Sequence, residues 1–272
     1  KDGLHMNKKG YDLWDKVIGP MVGVSDGWEI LFNGKDFDNF EQLNGKAEYK
    51  IEDGQMVGVS RLKTPNSFLA TKKKYGDFIL EFEVLVENGL NSGVQFRSLS
   101  LPEYNKGRVH GYQCEIETSP RKWAGGIYDE SRRGWLYPLS RNSKGREAFV
   151  NGKWNRYRIE ALGNHLRTWV NGIQCSNLVD DLTVEGFIAF QIHDIGNNKE
   201  QEGKEIRWRN IQIQTENLEA NRWKVDVDVP EISYLANELT PNEARKGWRF
   251  LWDGKTSNGW RGTKDAAFPS KG

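Results

Sequence analysis

Three stretches of this sequence carry hydrogen-bonding side chains at every second position. Residues 93–98 hold Gln95 and Arg97, residues 111–117 hold Gln113, Glu115 and Glu117, and residues 186–193 hold Gln191 and His193. Successive side chains of a β-strand point to opposite faces, so each set shares one face. The residues between them, Val94 and Phe96, then Tyr112, Cys114 and Ile116, then Ile188, Phe190 and Ile192, share the other. A solvated strand face is usually Lys, Thr, Ser and Glu. Amide, carboxylate, guanidinium and imidazole groups instead bond in fixed directions, and three strands with the same polar phase predict a lined cleft. An imidazole ordinarily titrates near neutrality, so His193 can be acid or base. Arg97 can hold a developing oxyanion, and Glu115, with Gln113 and Gln191, can position hydroxyls or exchange protons.

Such a surface suits a sugar, whose hydroxyls need planar amides and charges and whose C–H side needs aromatic faces. Residues 119–150 contain Pro120, Gly125-Gly126, Gly134 and Pro138 and read as a polar, ordered functional loop. Its Trp123, Tyr128, Trp135 and Tyr137 can supply the aromatic faces or staple the loop to the sheet, and Asp129 and Glu130 can close the site.

The elements that must hold these groups are strands. Short alternations at 28–32, 47–51, 55–59, 66–70, 77–86, 93–98, 111–117, 156–162, 165–170, 186–193 and 205–214 are separated by turn signals such as Asp53-Gly54, Gly163-Asn164 and Asn171-Gly172. No helical period is interleaved, which predicts an all-β, antiparallel two-sheet jelly-roll sandwich. The composition agrees. Of 272 residues 37% are hydrophobic, and burial leans on 11 Trp, 12 Phe and 9 Tyr, while 29 Gly serve turns.

A net charge of +1 from evenly spread charges argues against a nucleic-acid partner. No run of 18 apolar residues is present, so no segment reads as a membrane-spanning helix. Cys114, alternating with Tyr112 and Ile116, reads as a buried free thiol.

The ends differ from the middle. Residues 1–24 carry Asp2, His5 and a short amphipathic pattern, and DGLHMNKKGYDLWDKVIGPMV resembles the end of a GDSL/SGNH-type esterase domain. The resemblance implies an Asp-x-x-His pair that serves a serine nucleophile lying upstream. Residues 25–216 are the jelly roll. Residues 217–246 read as a linker in which Thr240-Pro241-Asn242-Glu243 has the form of a capping box with Pro at the first helical position. GWEILFNGK at 27–35 recurs as GWRFLWDGK at 247–255, with Phe40 matched by Trp260 at the same offset. Residues 247–272 therefore read as the start of a second jelly-roll copy, and the polypeptide is expected to continue into further domains on both sides.

Across 26–216 the blocks NSGVQFRS, GYQCEIE, GGIYDE, GKWN, GFIAFQIHD and IRWRNIQI occur in an order that resembles the 3-keto-disaccharide hydrolase domain family. The opening GWEILFNGKDFDNF is similar to that family's first strand. The resemblance implies a concanavalin-like jelly roll, an exported (periplasmic or extracellular) protein, and a substrate that is an oligosaccharide or glycoside oxidised to a ketone at C3. Such a ketone acidifies the C2 proton. A base removes it, the group on C1 is expelled, and water adds to the resulting enone. His193, Glu115 and Arg97 are the expected catalytic groups. Gln95, Gln113, Glu117, Gln191, Tyr128, Asp129, Glu130 and Trp135 are expected to bind substrate. The residues fix no cofactor; a divalent cation can serve an enolate-forming site, and the carboxylates with His193 could bind one, but no spacing here is diagnostic. The GYQCEIE block departs from the family's commoner pattern, with Gln113 then Glu115 where Glu then Gln is usual. Two rival readings remain open at this point. Glu115 and Glu117 share a face, as a conventional glycosidase would need, and a repeated domain is also the habit of non-catalytic sugar-binding modules.

Overall fold

The computed structural model describes residues 27–256 and 258–260; Asp2 and His5 lie outside the described residues. In chain order the first strands are β1 (Trp28–Ile30), β2 (Phe40–Asn44), β3 (Glu48–Glu52), β4 (Gln55–Val59) and β5 (Ser67–Thr71). The long strands β6 (Phe78–Val86), β7 (Asn91–Leu99) and β8 (His110–Glu117) follow, then β9 (Ile127–Glu130) and β10 (Gly134–Tyr137). The last group is β11 (Asn155–Leu162), β12 (His165–Val170), β13 (Ile173–Val179), β14 (Phe187–Ile192), β15 (Glu205–Gln214) and β16 (Ile232–Ser233).

They form two sheets. A seven-stranded sheet runs β10-β9-β8-β7-β14-β5-β2, and a nine-stranded sheet runs β16-β13-β12-β11-β6-β15-β4-β3, with β1 also on β15. Among the described residues only the short β13–β16 pair is parallel. The fold is thus an all-β, antiparallel two-sheet jelly-roll sandwich. Among the described residues helix is confined to single turns: a 3-10 turn at Leu139–Arg141, α1 (Ser143–Arg146), α2 (Leu218–Asn221) and α3 (Pro241–Arg245).

The turn chemistry acts where the sequence places it. Asp53 and Gly54 both take positive φ (50° and 73°) and close the β3–β4 hairpin at Glu52 and Gln55, as a two-residue turn of that hand requires. Gly163-Asn164 joins Leu162 to His165, and Asn171-Gly172 joins Val170 to Ile173. Thr240 accepts from the Glu243 N–H and Glu243 accepts from the Thr240 N–H, the expected capping box of α3.

Between the sheets lie the residues that alternate inward. Val94, Phe96, Tyr112, Cys114, Ile116, Ile188, Phe190 and Ile192 are all buried in one cluster with residues of the facing sheet, such as Phe78, Phe82, Tyr157 and Trp208. Aromatic pairs bridge the layers: the Phe190 ring meets Phe82 edge-on at 6.1 Å and Trp208 at 5.6 Å. Each such pair adds about 0.5–1.5 kcal/mol beyond area burial. Cys114 and Cys175 are both buried and unbridged.

One expectation is corrected. The segment 119–150 is not only a loop: β9 and β10 extend the seven-stranded sheet, and Ile127, Leu136, Tyr137 and Leu139 are core. The strands are four residues each, too short to show a period against their glycine and proline neighbours. The segment 217–246, expected as a linker with a short helix, packs against the sandwich. Its Trp223 N–H donates to Glu160, its indole packs on Trp169 at 5.7 Å, and the Arg158 guanidinium lies 4.7 Å from the Trp223 ring. It is a strap over the outer face of the nine-stranded sheet.

The repeated motif keeps its local form at both places. Asn33 Oδ1 accepts from the N–H groups of Lys35 and Asp36, and Asp253 Oδ1 accepts from those of Lys255 and Thr256. Burial differs. Leu31, Phe32 and Phe40 are 8%, 6% and 6% exposed, whereas their counterparts Leu251, Trp252 and Trp260 are 81%, 57% and 44% exposed.

Candidate functional site

The polar faces of β7, β8 and β14 do come together, on the outward face of the seven-stranded sheet. A cleft of about 320 Å³ there is lined by Asn66, Asn91, Arg108, Gln113, Glu115, Arg121, Tyr128, Glu130, Trp135 and His193. Six of these, His193, Glu115, Gln113, Tyr128, Glu130 and Trp135, were legible as site residues from alternation and from the aromatic segment.

Glu115 is the more deeply buried of the two carboxyls that line the cleft. Its carboxylate accepts from Asn91 Nδ2 at 2.6 Å and from Gln113 Nε2 at 3.1 Å, while Arg121 Nη2 stands 3.5 Å away. Burial pushes its pKa up to about 7; the charge of Glu117 pushes the same way, and the Asn91 and Gln113 amides and the Arg121 cation only partly oppose it. Gln113 in turn accepts from Gln95 Nε2 at 2.6 Å, and Gln95 accepts from Ser98 Oγ at 2.8 Å. This amide chain lies flat because position 93 has no side chain: a Cβ on Gly93 would sit 2.4 Å from Gln113 Cδ. Gln95 therefore forms the floor beneath the cleft and is fully buried. Gln191 is fully buried as well, with neither amide atom hydrogen-bonded.

At the rim, Trp135 packs edge-on against Tyr128 at 5.2 Å and Trp123 at 4.8 Å. His193 follows β14 and is exposed; its Nδ1 lies 2.7 Å from the Asp194 carbonyl. A carbonyl only accepts, so Nδ1 carries the hydrogen and Nε2 is left for a ligand. The Asp194 N–H is fixed in turn by Asn66 Oδ1. Arg108 is 3.7 Å from Glu130 and its side chain is 59% exposed.

Arg97 is not in the cleft. Its Nε donates to Gly76 O, Nη1 to Gly163 O, and Nη2 to Asp77 Oδ1 and Ala161 O, and the side chain is 1% exposed. The cause is a β-bulge: the β7–β8 register shifts between Phe96 and Leu99, and Arg97 takes a φ of +45°. A bulge breaks the alternation on which the strand reading rests. Gly111 and Gly186 make room for it, since a Cβ on either would meet Ser98 or the Arg97 carbonyl carbon at 2.4 Å. Asp129 also faces away from the cleft and is ion-paired to Arg132 and Arg133; it shares a strand face with Ile127, opposite Tyr128 and Glu130. Glu117 lies beyond Glu115 but does not line the cleft. It is 4% exposed and takes Arg121, Ser119 Oγ and the Trp123 N–H.

Four lining residues escaped the sequence reading. Asn91 precedes the 93–98 stretch, Arg108 precedes the 111–117 stretch, and Asn66 opens the 66–70 alternation, which was not singled out for polar groups. Arg121 had a faint signal, being the first basic residue after three same-face acceptors on β8. Among the described residues no group of three or more His, Cys, Asp or Glu is placed to hold a metal ion, and no helix is long and apolar enough to cross a membrane. A larger hollow of about 740 Å³ opens between Asp77, His165, Asn217 and Arg222. Its His165 is turned to Arg167 at 3.0 Å, and burial pushes that imidazole's pKa down. It offers no buried carboxyl poised for proton transfer.

Comparison with known proteins agrees with this architecture. The sequence model of the 3-keto-alpha-glucoside-1,2-lyase-like domain matches residues 27–214. A candidate glycosyl hydrolase from Parabacteroides distasonis has a similar fold, with a TM-score of 0.51 at 18% identity over 70% of this chain and 94% of that one. The carbohydrate-binding module CBM66 from Bacillus subtilis matches with a TM-score of 0.43 at 14% identity, over 65% and 95% of the two chains. A Bacillus subtilis protein of unknown function with a galectin-like fold matches with a TM-score of 0.49 at 10% identity, over 69% and 94%. No curated protein matches the chain.

Proposed function

Because the chain belongs to the 3-keto-alpha-glucoside-1,2-lyase-like domain family, a carbohydrate-active family, we propose that its cleft cleaves 3-keto-glycosides by elimination and hydration, with Glu115 as the base. The observation that carries this reading is the buried Glu115 carboxyl, held by two amides in a cleft and raised to about 7. A base of that strength is matched to a proton acidified by a neighbouring ketone.

Glu115 takes the C2 proton, and the C2–H electron pair moves to the C3 oxygen as an enolate. Arg108, exposed and only loosely paired with Glu130 at 3.7 Å, is the cleft cation that stabilises that oxygen. The enolate then collapses, C1=C2 forms, and the C1–O bond breaks. His193, protonated on Nε2, gives its proton to the departing oxygen. Water adds across the enone, placing OH on C1 and H on C2. Trp135 and Tyr128 offer aromatic faces to the sugar's C–H side, and Gln113 and Asn66 offer amides to its hydroxyls.

The test compares a 3-keto-glucoside with its unoxidised parent. Turnover of the keto form alone is expected, with Glu115→Gln and His193→Ala each lowering it by about 10²-fold or more, the usual scale of acid–base contributions. Turnover of the parent would make the protein a conventional glycosidase, and binding of either sugar without turnover would make it a binding module.

A further inference from the structure

Glu115 and Glu117 stand on one face of β8, about 6.5–7 Å apart at the backbone, yet their surroundings differ. The Glu117 carboxylate accepts from Arg121 Nε at 3.1 and 3.2 Å, from Arg121 Nη2 at 2.7 Å, from Ser119 Oγ at 2.9 Å and from the Trp123 N–H. This is the two-pronged fit of a guanidinium to a carboxylate, the geometry that lysine cannot reproduce. The Arg121 guanidinium carbon is itself 4.7 Å from the Trp123 ring and 4.9 Å from the Trp135 ring, so the fork is held between indoles. Only its Nη2 reaches toward Glu115, at 3.5 Å.

We propose that Glu117 and Arg121 form a positioning clamp, in which Glu117 holds the cation back from Glu115 and so leaves proton transfer to Glu115 alone. The proposal rests on Glu115 being the base of the cleft. Neither clamp residue needs to touch substrate. Glu117 is closed off by its donors, and Arg121 spends Nε and Nη2 on it. The other charged or titratable groups facing Glu115 are Tyr128 and Glu130 from β9, Arg108 from the segment before β8, and His193 after β14. Asn91 from β7 and Gln113 from β8 complete the shell with neutral amides. Of the cations, Arg121 alone reaches a Glu115 oxygen within 4 Å among the described residues.

The clamp makes opposite demands on its two members. Glu117→Gln removes an anion beside Glu115 and frees the guanidinium to turn onto it, so Glu115 should give up its proton more readily. Arg121→Met removes the cation and leaves the Glu117 anion uncompensated, so Glu115 should hold its proton longer. The Glu115 carboxyl is followed by ¹³C NMR titration of the glutamate-labelled full chain, with the signal assigned by its loss in Glu115→Gln. The Glu117→Gln titration should move down, and the Arg121→Met titration up, by about one pH unit or more, the scale of a single charge at this distance. Arg121→Lys keeps the charge and should return the titration part of the way to that of the unaltered protein. Shifts in the same direction, or no shift with Glu117→Gln, would overturn the clamp. Because Glu117→Gln is isosteric, it decides the question even if Arg121→Met does not fold. The titration needs no substrate: opposite shifts in a protein that turns over no 3-keto-glucoside would support the clamp and refute the proposed reaction. Unmoved titrations in a protein that does turn it over would do the reverse.

Discussion

Replacing Arg97 with Met separates structure from catalysis at the residue whose place was least expected. The methionine keeps an unbranched stem in the buried channel and removes the guanidinium. Four hydrogen bonds go with it, leaving the carbonyls of Gly76, Ala161 and Gly163 and the carboxylate of Asp77 without that donor. Breaking one side of a buried charged cluster costs about 3–5 kcal/mol when the partner stays buried. Asp77 is 54% exposed and regains water, so the loss should fall at the lower end, about 3 kcal/mol. For a domain of this size that lowers Tm by about 6–12 °C. The assay pairs a thermal melt with turnover of a 3-keto-glucoside, corrected for the folded fraction. Rate per folded molecule should stay within about threefold, since no atom of Arg97 lines the cleft and any change must come through small shifts in the bulge. A variant that melts normally but has lost its activity would refute the structural assignment and restore Arg97 to the chemistry.

Glu115→Gln should change stability as well as rate. The folded-state pKa of Glu115 is raised to about 7, above the roughly 4.3 of an unfolded glutamate. The folded state therefore binds the proton more tightly, and the native carboxyl favours folding less as pH rises between those two values. The glutamine variant, which cannot ionise, should gain about 1–3 kcal/mol over the native protein at pH 8 and little at pH 4, read from urea midpoints at both; an equal difference at both pH values would argue against a raised carboxyl. The activity of the native protein should fall as pH drops below 7 and Glu115 takes up its proton, and a rate that is flat between pH 5 and 7 would exclude Glu115 as its base. Gly93→Ala should displace Gln113, whose Cδ would lie 2.4 Å from the new methyl, and should cut turnover about tenfold or more while the far-UV spectrum is unchanged. Cys114→Ser puts a hydroxyl on the apolar side of β8, so it should lower stability by about 1–3 kcal/mol and leave the rate per folded molecule unaltered.

How far the site could be read from the chain depended on how local each determinant is. Alternation in 111–117 sorted Cys114 and Ile116 from Gln113 and Glu115 correctly, because β8 is regular through those residues and its inward face meets the core. The same rule failed two residues past Gln95. The bulge at Arg97 has space because Gly111 on β8 and Gly186 just before β14 carry no side chain. No window along one strand contains that information. The cation of the site was misassigned for the same reason. Arg121 meets Glu117 through a turn, Arg108 reaches the cleft from the segment before β8, and Asn91 is the first residue of β7, two positions ahead of the alternating stretch.

The repeated motif divides the two kinds of information most cleanly. The sequence by itself determined the turn after each copy, since a short Asx side chain bonds the N–H groups two and three residues on, and Gly34 and Gly254 take the positive φ that follows (74° and 75°). It also determined the hairpins, the capping box of α3 and the inward set of apolar residues, all of which follow from neighbours within a few positions. Only the tertiary structure decided that Phe32 and Phe40 are buried while Trp252 and Trp260 are exposed. Burial is a property of what lies opposite. The first copy has β15 beside it and aromatic rings above it, with Phe32 and Phe40 5.6–6.3 Å from the Phe37 ring; the second, among the described residues, has neither. Glu115 obeys the same division: its type and its face follow from the chain, but its proton affinity comes from the burial, the amides and the anion that folding gathers around it.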